Sequence, residues 1–177
     1  GYDNQNDSKS FAWGIQDNIG IMDDRLILVL GARYDRVKLN SLNNTNNSPS
    51  NSTNGEWSRR AGLVGKPMDG VSIFYNYSET FTAISGLNTQ DGKSEPWKNQ
   101  IGTNNEIGLK LELFESKFIT TVSYFNQELN NARITTEVRA DTVTGGLIGV
   151  IEQRGSAVTK GWEIDFVATP TKNISLM

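Results

Sequence analysis

Asn105-Glu106-Ile107-Gly108-Leu109-Lys110-Leu111-Glu112-Leu113 is the stretch that decides how this chain is read. Ile107, Leu109, Leu111 and Leu113 take every second place, opposite Glu106, Gly108, Lys110 and Glu112. Successive side chains of a strand point to opposite faces, so a period of two without an error gives one dry face and one wet one. Working outward, the same alternation returns. Trp13, Ile15, Ile19 and Ile21 stand against Gln16, Asn18 and Gly20 in a strand from about Phe11 to Ile21. Leu28, Leu30, Ala32 and Tyr34 stand against Gly31, Arg33 and Asp35 within Leu26 to Leu39. Trp57 to Lys66 leads into Val71 to Phe81, where Val71, Ile73, Tyr75 and Tyr77 alternate with Ser72, Phe74, Asn76 and Ser78. Phe118 to about Val138 follows the opening stretch. The last long strand runs from roughly Ile148 to Ala168, with Trp162, Ile164 and Phe166 opposite Gly161, Glu163 and Asp165.

The connections are of two kinds. Tight turns fall at Met22-Asp23-Asp24-Arg25, Pro67-Met68-Asp69-Gly70, Phe114-Glu115-Ser116-Lys117 and Pro170-Thr171-Lys172-Asn173, where Asp, Gly, Ser and Asn supply turn chemistry. Between them lie long polar stretches. Residues 40 to 56 are almost all Asn, Ser, Thr, Gly and Pro, which predicts a mobile surface loop. Asn46-Asn47-Ser48 and Asn51-Ser52-Thr53 fit the N-x-Ser/Thr pattern, but in so Asn-rich a composition such matches arise by chance and a solvated loop explains them.

Composition closes several functional classes. The chain has no Cys and no His, which removes disulfides, thiolate nucleophiles, Ser-His-Asp catalysis and the usual zinc sets. The expectation is that it is not an enzyme. A net charge of -3 with scattered Lys and Arg leaves no basic footprint for nucleic acid. The longest aliphatic run, Leu26 to Leu30, falls far short of the roughly 20 residues of a spanning helix. Negative mean hydropathy does not exclude a membrane barrel, because only alternate residues face lipid.

Several strands exceed the five or six residues usual in soluble sheets, and charges alternate along them. Lys110 with Glu112, or Glu163 with Asp165, on one face of a strand fits a wet lumen at little desolvation cost. The predicted fold is all-β: an antiparallel transmembrane β-barrel, of which this chain is a fragment of about seven to eight strands. Both ends read as cut from something larger, since the chain starts in polar sequence and stops at Ile174-Ser175-Leu176-Met177, just past a turn. The other reading of the pattern is a soluble all-β domain, such as a carbohydrate-binding sandwich or a structural module.

Five segments in order resemble one family. They are Leu30-Gly31-Ala32-Arg33-Tyr34-Asp35, Arg60-Ala61-Gly62-Leu63-Val64-Gly65-Lys66-Pro67, Tyr75-Asn76-Tyr77-Ser78-Glu79-Thr80-Phe81, Asn105-Glu106-Ile107-Gly108-Leu109-Lys110, and Lys160-Gly161-Trp162-Glu163-Ile164-Asp165 followed by Ala168-Thr169-Pro170-Thr171-Lys172-Asn173. Together they resemble the barrel of TonB-dependent siderophore receptors. The resemblance implies a 22-stranded type of barrel in the outer membrane, surrounded by lipid, with residues 1–177 all barrel. It also implies a ferric siderophore as transported ligand rather than a cofactor, and a TonB-ExbB-ExbD energy-coupling complex acting through a plug domain. The plug, the short coupling motif and a C-terminal strand ending in an aromatic residue are absent from this sequence. Lys160-Gly161-Trp162 stands where Arg-Gly and a small aliphatic residue are commoner. Importers of cobalamin, haem or glycan ligands share the architecture.

Site expectations follow. Tyr77, Phe81 and Trp97, near one long loop, are candidates to stack on a ligand, against the alternative of interface anchoring or loop packing. Tyr34, Tyr75, Tyr77, Tyr124 and Trp162 are candidates for aromatic girdles. Arg33 with Asp35, and Glu106 with Lys110, are placed to pair across neighbouring strands. The carboxylates Glu106, Glu112, Glu163 and Asp165 are read as solvated lumen positions, not as an acid pair or cation ligands. Pro67 and Pro170 are expected where a ladder donor can be spared.

Overall fold

The computed structural model describes residues 4–43, 48–84, 86–90, 93–140, 145–153, 155–171 and 174–176. The strands are β1 (Asn4–Ile21), β2 (Leu26–Asn43), β3 (Ser48–Met68), β4 (Val71–Thr82), β5 (Leu87–Gln90), β6 (Lys93–Pro96), β7 (Gln100–Leu113), β8 (Phe118–Asn130), β9 (Arg133–Ala140), β10 (Leu147–Gln153), β11 (Ser156–Thr171) and β12 (Ile174–Leu176). Eight of them form one sheet in the order β1-β2-β3-β4-β7-β8-β11-β12. Every pairing described is antiparallel, so the main sheet is an up-and-down meander. Seven long strands and the start of another are what the alternation predicts. β5 with β6, and β9 with β10, are small hairpins set into two of the long connections.

Register holds each face together across the whole sheet. Leu109 lies opposite Ile73 on one side and Val122 on the other, and Val122 opposite Ile164. In the same way Ile15 faces Ala32, and Leu28 faces both Ile19 and Leu63. Ser72 and Thr121 flank Lys110, and Asp165 faces Thr121, on the opposite face. A one-residue slip would turn every strand inside out, so the pattern and the register specify each other.

Among the described residues, neither face of the main sheet is covered by a second layer. Val150 is the only buried hydrophobic side chain among the described residues, and Ile15, Trp162 and Ile164 are 72, 73 and 68% exposed. No helix is present among the described residues. A soluble sandwich would press those side chains into a second sheet about 10 Å away. Here the apolar face is bare, as the wall of a lipid-facing barrel is before lipid is added.

The turns at residues 22–25 and 114–117 are built as the sequence predicts, whereas Lys172 and Asn173 of the turn expected at Pro170 lie outside the described residues. Met22, Asp23 and Asp24 are all left-handed (φ 58, 54 and 60), and so are Phe114, Glu115 and Ser116 (φ 57, 58 and 63). Each closes with one hydrogen bond, Arg25 N donating to Met22 O and Lys117 N to Phe114 O, both 3.2 Å. Asp tolerates this region better than most residues. Each turn is also tied to the next strand: Lys66 N donates to Arg25 O, Glu112 N to Gly70 O and Thr169 N to Lys117 O, all at 2.7 Å. Both prolines fall where the ladder skips, Pro67 between Gly65 and Met68 and Pro170 between Ala168 and Thr171. The missing donor therefore costs no pairing there.

Gly70 sets up a test of this end of the wall. Its φ is +76, and a Cβ added there would collide with the carbonyl oxygen of Glu112 on β7. Gly70→Ala is expected to lose about 1–3 kcal/mol through strain alone, seen as an earlier urea midpoint of the assembled barrel. Gly65→Ala, which meets nothing within 4 Å, should be close to neutral. Equal losses at the two sites would show that the turn is not what matters.

Three expectations need correction. Residues 40 to 56 are not a loop throughout, because β2 runs to Asn43 and β3 starts at Ser48, paired from Asn43↔Ser48 down to Leu26↔Gly65; residues 44–47 lie outside the described set. Ladder bonds are made by backbone, and once a ribbon stands in water on both sides its side chains can all be polar. Phe118 to Val138 is two strands, broken where Asn131 turns left-handed at φ 58. Ile148 to Ala168 is likewise two, broken next to Gly155 at φ 68.

Candidate functional site

The polar face is built from Gly and polar residues two apart, and the glycines have a structural partner. Phe74 lies directly over Gly108, so that a Cβ there would collide with its ring, and Phe125 Cζ would be 2.8 Å from a Cβ on Gly161. Arg60 Cγ would be 2.8 Å from a Cβ on Gly31. Each glycine is the cross-strand neighbour of the large residue that covers it. Side chains of Phe74, Phe125 and Arg60 occupy the space that a Cβ would need at these three glycines. This accounts for Gly31, Gly108 and Gly161, each in a different one of the quoted segments.

This face carries a depression of about 830 Å³ whose lining includes Gln16, Arg33, Asp35, Ser58, Ser78 and Phe81. Its position follows from strand pairing. The β3–β4 ladder stops at Arg60↔Ser78; beyond it β3 keeps only β2, and β4 keeps only β7. Glu79 sits at the parting, where its carboxylate accepts from Arg59 N at 2.9 Å and from the Tyr77 hydroxyl at 2.7 Å. Arg60 Nη1 donates to Gln16 Oε1 at 3.0 Å, joining β3 to β1 across β2. Arg33 grips Asp35 through Nε and Nη2 at 2.8 to 3.0 Å. The lining thus offers paired charges, amides and hydroxyls, suited to a polar solute with several hydrogen-bonding groups.

Among the described residues, the ion pairs on this face run along one strand, not between strands: Arg33 with Asp35, and Lys110 with Glu112 at 2.8 Å. That corrects the expected cross-strand pairing and the pairing of Lys110 with Glu106. Residues i and i+2 share a face, and long Arg and Lys side chains close that gap without waiting for a neighbour. Among the described residues no three His, Cys, Asp or Glu side chains converge as a metal site. Below the depression Val29, Val64 and Phe74 form an apolar island edged by Asn18, Asn76 and Glu106.

The three predicted stacking residues separate. Phe81 lines the depression. Tyr77 donates to Glu79 and, like Phe81 four residues on in the same unbroken ladder, is on the apolar face by register; Phe81 borders the depression where β4 has parted from β3. Trp97 belongs to a junction between two long connections, where the Arg133 guanidinium lies 5.7 Å from the ring centroid. In the same junction Gln153 accepts from Lys98 N at 2.7 Å and donates to Lys98 O at 2.7 Å and Asn131 O at 3.1 Å; Asn131 donates to Asn99 O at 2.8 Å. Gln153 therefore acts as a one-residue piece of ladder. Sequence reasoning missed Gln153, Asn131 and Arg133, whose partners are distant backbone groups or a ring that no periodicity marks. It also passed over Gln16, Ser58 and Glu79 as site residues, although parity with Arg33 and Asp35 places Gln16 and Ser58 on the polar face.

On the apolar face the aromatic residues line up. Trp13 and Trp57 meet edge to face at 5.1 Å, Tyr34 tilts against Trp57 at 5.3 Å, and Tyr124 against Trp162 at 5.2 Å. They lie on the long-connection side of an apolar band, and Leu26 to Tyr34 matches the ~9–11 residues of a tilted spanning strand. Tight turns at one rim, long connections at the other, an apolar outer band and an aromatic row define the wall of an outer-membrane-type β-barrel.

The comparisons agree. A family model described as TonB dependent receptor-like, beta-barrel matches residues 1–174, and the chain belongs to that family, whose members are outer-membrane receptors and not enzymes. The ferrioxamine B receptor of Salmonella typhimurium (strain SL1344) is 34% identical over 106 residues, 59% of this chain. The chain spans only 15% of that receptor's length. Among solved structures, the siderophore receptor PiuA of Acinetobacter baumannii superposes with a TM-score of 0.76 at 19% identity, over 96% of this chain and 24% of that one. The alcaligin outer membrane receptor FauA of Bordetella pertussis gives 0.73 at 15%, over 96% and 29%. These two likenesses show the fold.

Proposed function

We propose that this chain is a stretch of barrel wall from an outer-membrane receptor that imports a ferric siderophore, driven by the TonB-ExbB-ExbD complex through a plug seated inside the barrel. The observation that carries the reading furthest is the 34% identity, over more than half the chain, to a ferrioxamine B receptor. The depression adds to it: its volume suits a small chelate, and its paired charges and amides suit hydroxyl- and amide-rich ligands. The apolar island of Val29, Val64 and Phe74 on an otherwise wet face suits a domain pressed against the inner wall. Phe81 at the depression would supply aromatic contact to the bound chelate, while Tyr77, on the apolar face by register, would hold Glu79 in place through its hydroxyl. Trp97 would act at the loop junction above.

The test is transport by the full-length receptor. A strain lacking its own receptors, complemented with the whole gene, should take up radiolabelled ferric hydroxamate siderophore and stop when the proton gradient is collapsed. Uptake of cobalamin or haem in place of any ferric siderophore would replace this reading with another importer.

A further inference from the structure

The depression is a break in a ladder whose register carries across it. Continued past Arg60↔Ser78, the β3–β4 pairing sets Arg59 opposite Glu79, Ser58 opposite Thr80, Trp57 opposite Phe81 and, further on, Asn54 opposite Ile84. The pairing of the two strands nevertheless ends at Arg60↔Ser78. At the first and last of these places a side chain reaches over instead: the Glu79 carboxylate accepts from Arg59 N at 2.9 Å, and Asn54 Nδ2 donates to Ile84 O at 3.4 Å. Where a backbone rung would lie, the strands stand a side chain further apart.

Both banks of the depression are fit to pair. β3 stays paired with β2 as far as Asn43↔Ser48, and β4 with β7 as far as Thr82↔Gln100, so each is extended and each turns an edge toward the other. Native sheets seldom leave such edges open. Further strands of a barrel cannot close this one, because it lies inside the sheet order, between β3 and β4, and not at either end. Zipping would also set Trp57 beside Phe81, an aromatic cross-strand pair of the kind that stabilises sheets. Ser58 and Arg59 on one bank, and Ser78 to Ala83 on the other, line the depression, so zipping would erase it. Glu79 opposes this directly. Its carboxylate takes the Arg59 N–H that the next rung would give to the carbonyl of Glu79 itself, and a bond to a charged acceptor is about twice as strong as a neutral one. The other carboxylate oxygen accepts from the Tyr77 hydroxyl at 2.7 Å, which fixes its direction.

We propose that Glu79 and Asn54 are positioning residues of the depression, struts whose side chains stand in for backbone rungs at its two ends and keep β3 and β4 from zipping across it. Their consequence for uptake rests on the depression being where the chelate binds. Chelate and zipped strands then compete for one space.

The test is a disulfide across the break in the full-length receptor. Ser58 and Thr80 share the polar face and on zipping would form a non-hydrogen-bonded pair, with Cα atoms about 4.5 Å apart, within the reach of a disulfide. Residues 1–177 contain no Cys of their own. S58C/T80C is oxidised in outer-membrane vesicles and the cross-link followed on gels, with unheated samples reporting that the barrel has folded. Cross-linking should be slow with both struts in place, about tenfold faster on adding E79A, and faster again with E79A/N54A. Adding E79Q should keep the slow rate, since an amide oxygen still accepts the Arg59 N–H and its NH2 can donate to the Tyr77 hydroxyl. A rate with E79A within about twofold of that with Glu79, or a rate with E79Q as fast as with E79A, would overturn the proposal. Binding of a ferric hydroxamate siderophore is measured on the same vesicles: the oxidised S58C/T80C receptor should lose it, and reduction should restore it. Cross-linking needs no chelate, so rates that follow the struts in a receptor that binds chelate equally well oxidised or reduced would support the struts and overturn the depression as the solute site.

Discussion

Leu109→Arg is expected to destabilise the assembled barrel by about 2–4 kcal/mol, the cost of a cation facing lipid near the bilayer midplane. Leu109 is on the apolar face, flanked by Ile73 and Val122. It stands four residues from the turn-side end of β7 at Leu113, close to the middle of an apolar band about 25 Å tall. Its chain neighbour behaves differently. Lys110→Gln removes one member of the ion pair with Glu112, whose side chains are 43 and 40% exposed, and such a pair is worth about 0–1 kcal/mol. Urea unfolding of the full-length protein from lipid vesicles, followed by tryptophan fluorescence, would measure both. A loss at Lys110 as large as that at Leu109 would mean that the two faces are not what the alternation says they are.

How much of this was readable in the residues depends on whether a strand has two different surroundings. Asn105 to Leu113 has lipid on one side and water on the other, so its alternation is complete and its faces are legible. Ser48 to Glu56 is also strand, but water surrounds it on both sides and nothing selects apolar residues at alternate places. Its Asn and Ser read as loop for that reason. The same limit applied to the site. Arg33, Asp35 and the Gly-containing segments were visible because parity fixed their face. Glu79 matters because the β3–β4 ladder ends beside it, and Gln153 because it bonds the backbone of Lys98, 55 positions away in sequence. Neither fact is written in a local pattern.

A polypeptide of residues 1–177 alone, expressed and diluted into plain buffer, is expected to aggregate. The reason is the open geometry of the sheet. β1 pairs only with β2, leaving the other edge of an 18-residue strand with unpaired donors and acceptors. At the opposite side β12 covers only part of β11. Free edges of this length template pairing with other copies. The apolar face compounds the problem: Phe11, Trp13, Ile15, Ile107, Trp162 and Ile164 are each at least half exposed, and they form a continuous surface by register, not scattered points. Patches of more than a few hundred Å² are rarely left bare in monomers. Detergent would cover the face but not the edges, so it should yield soluble yet polydisperse material. Only closure by further strands removes both defects at once, because a barrel has no edge and its outer band meets lipid. Size-exclusion chromatography with light scattering, together with limited proteolysis, decides the matter. A monomeric, protease-resistant product in buffer without detergent would show that the sheet has found an internal core, and the barrel-wall reading would fail with it.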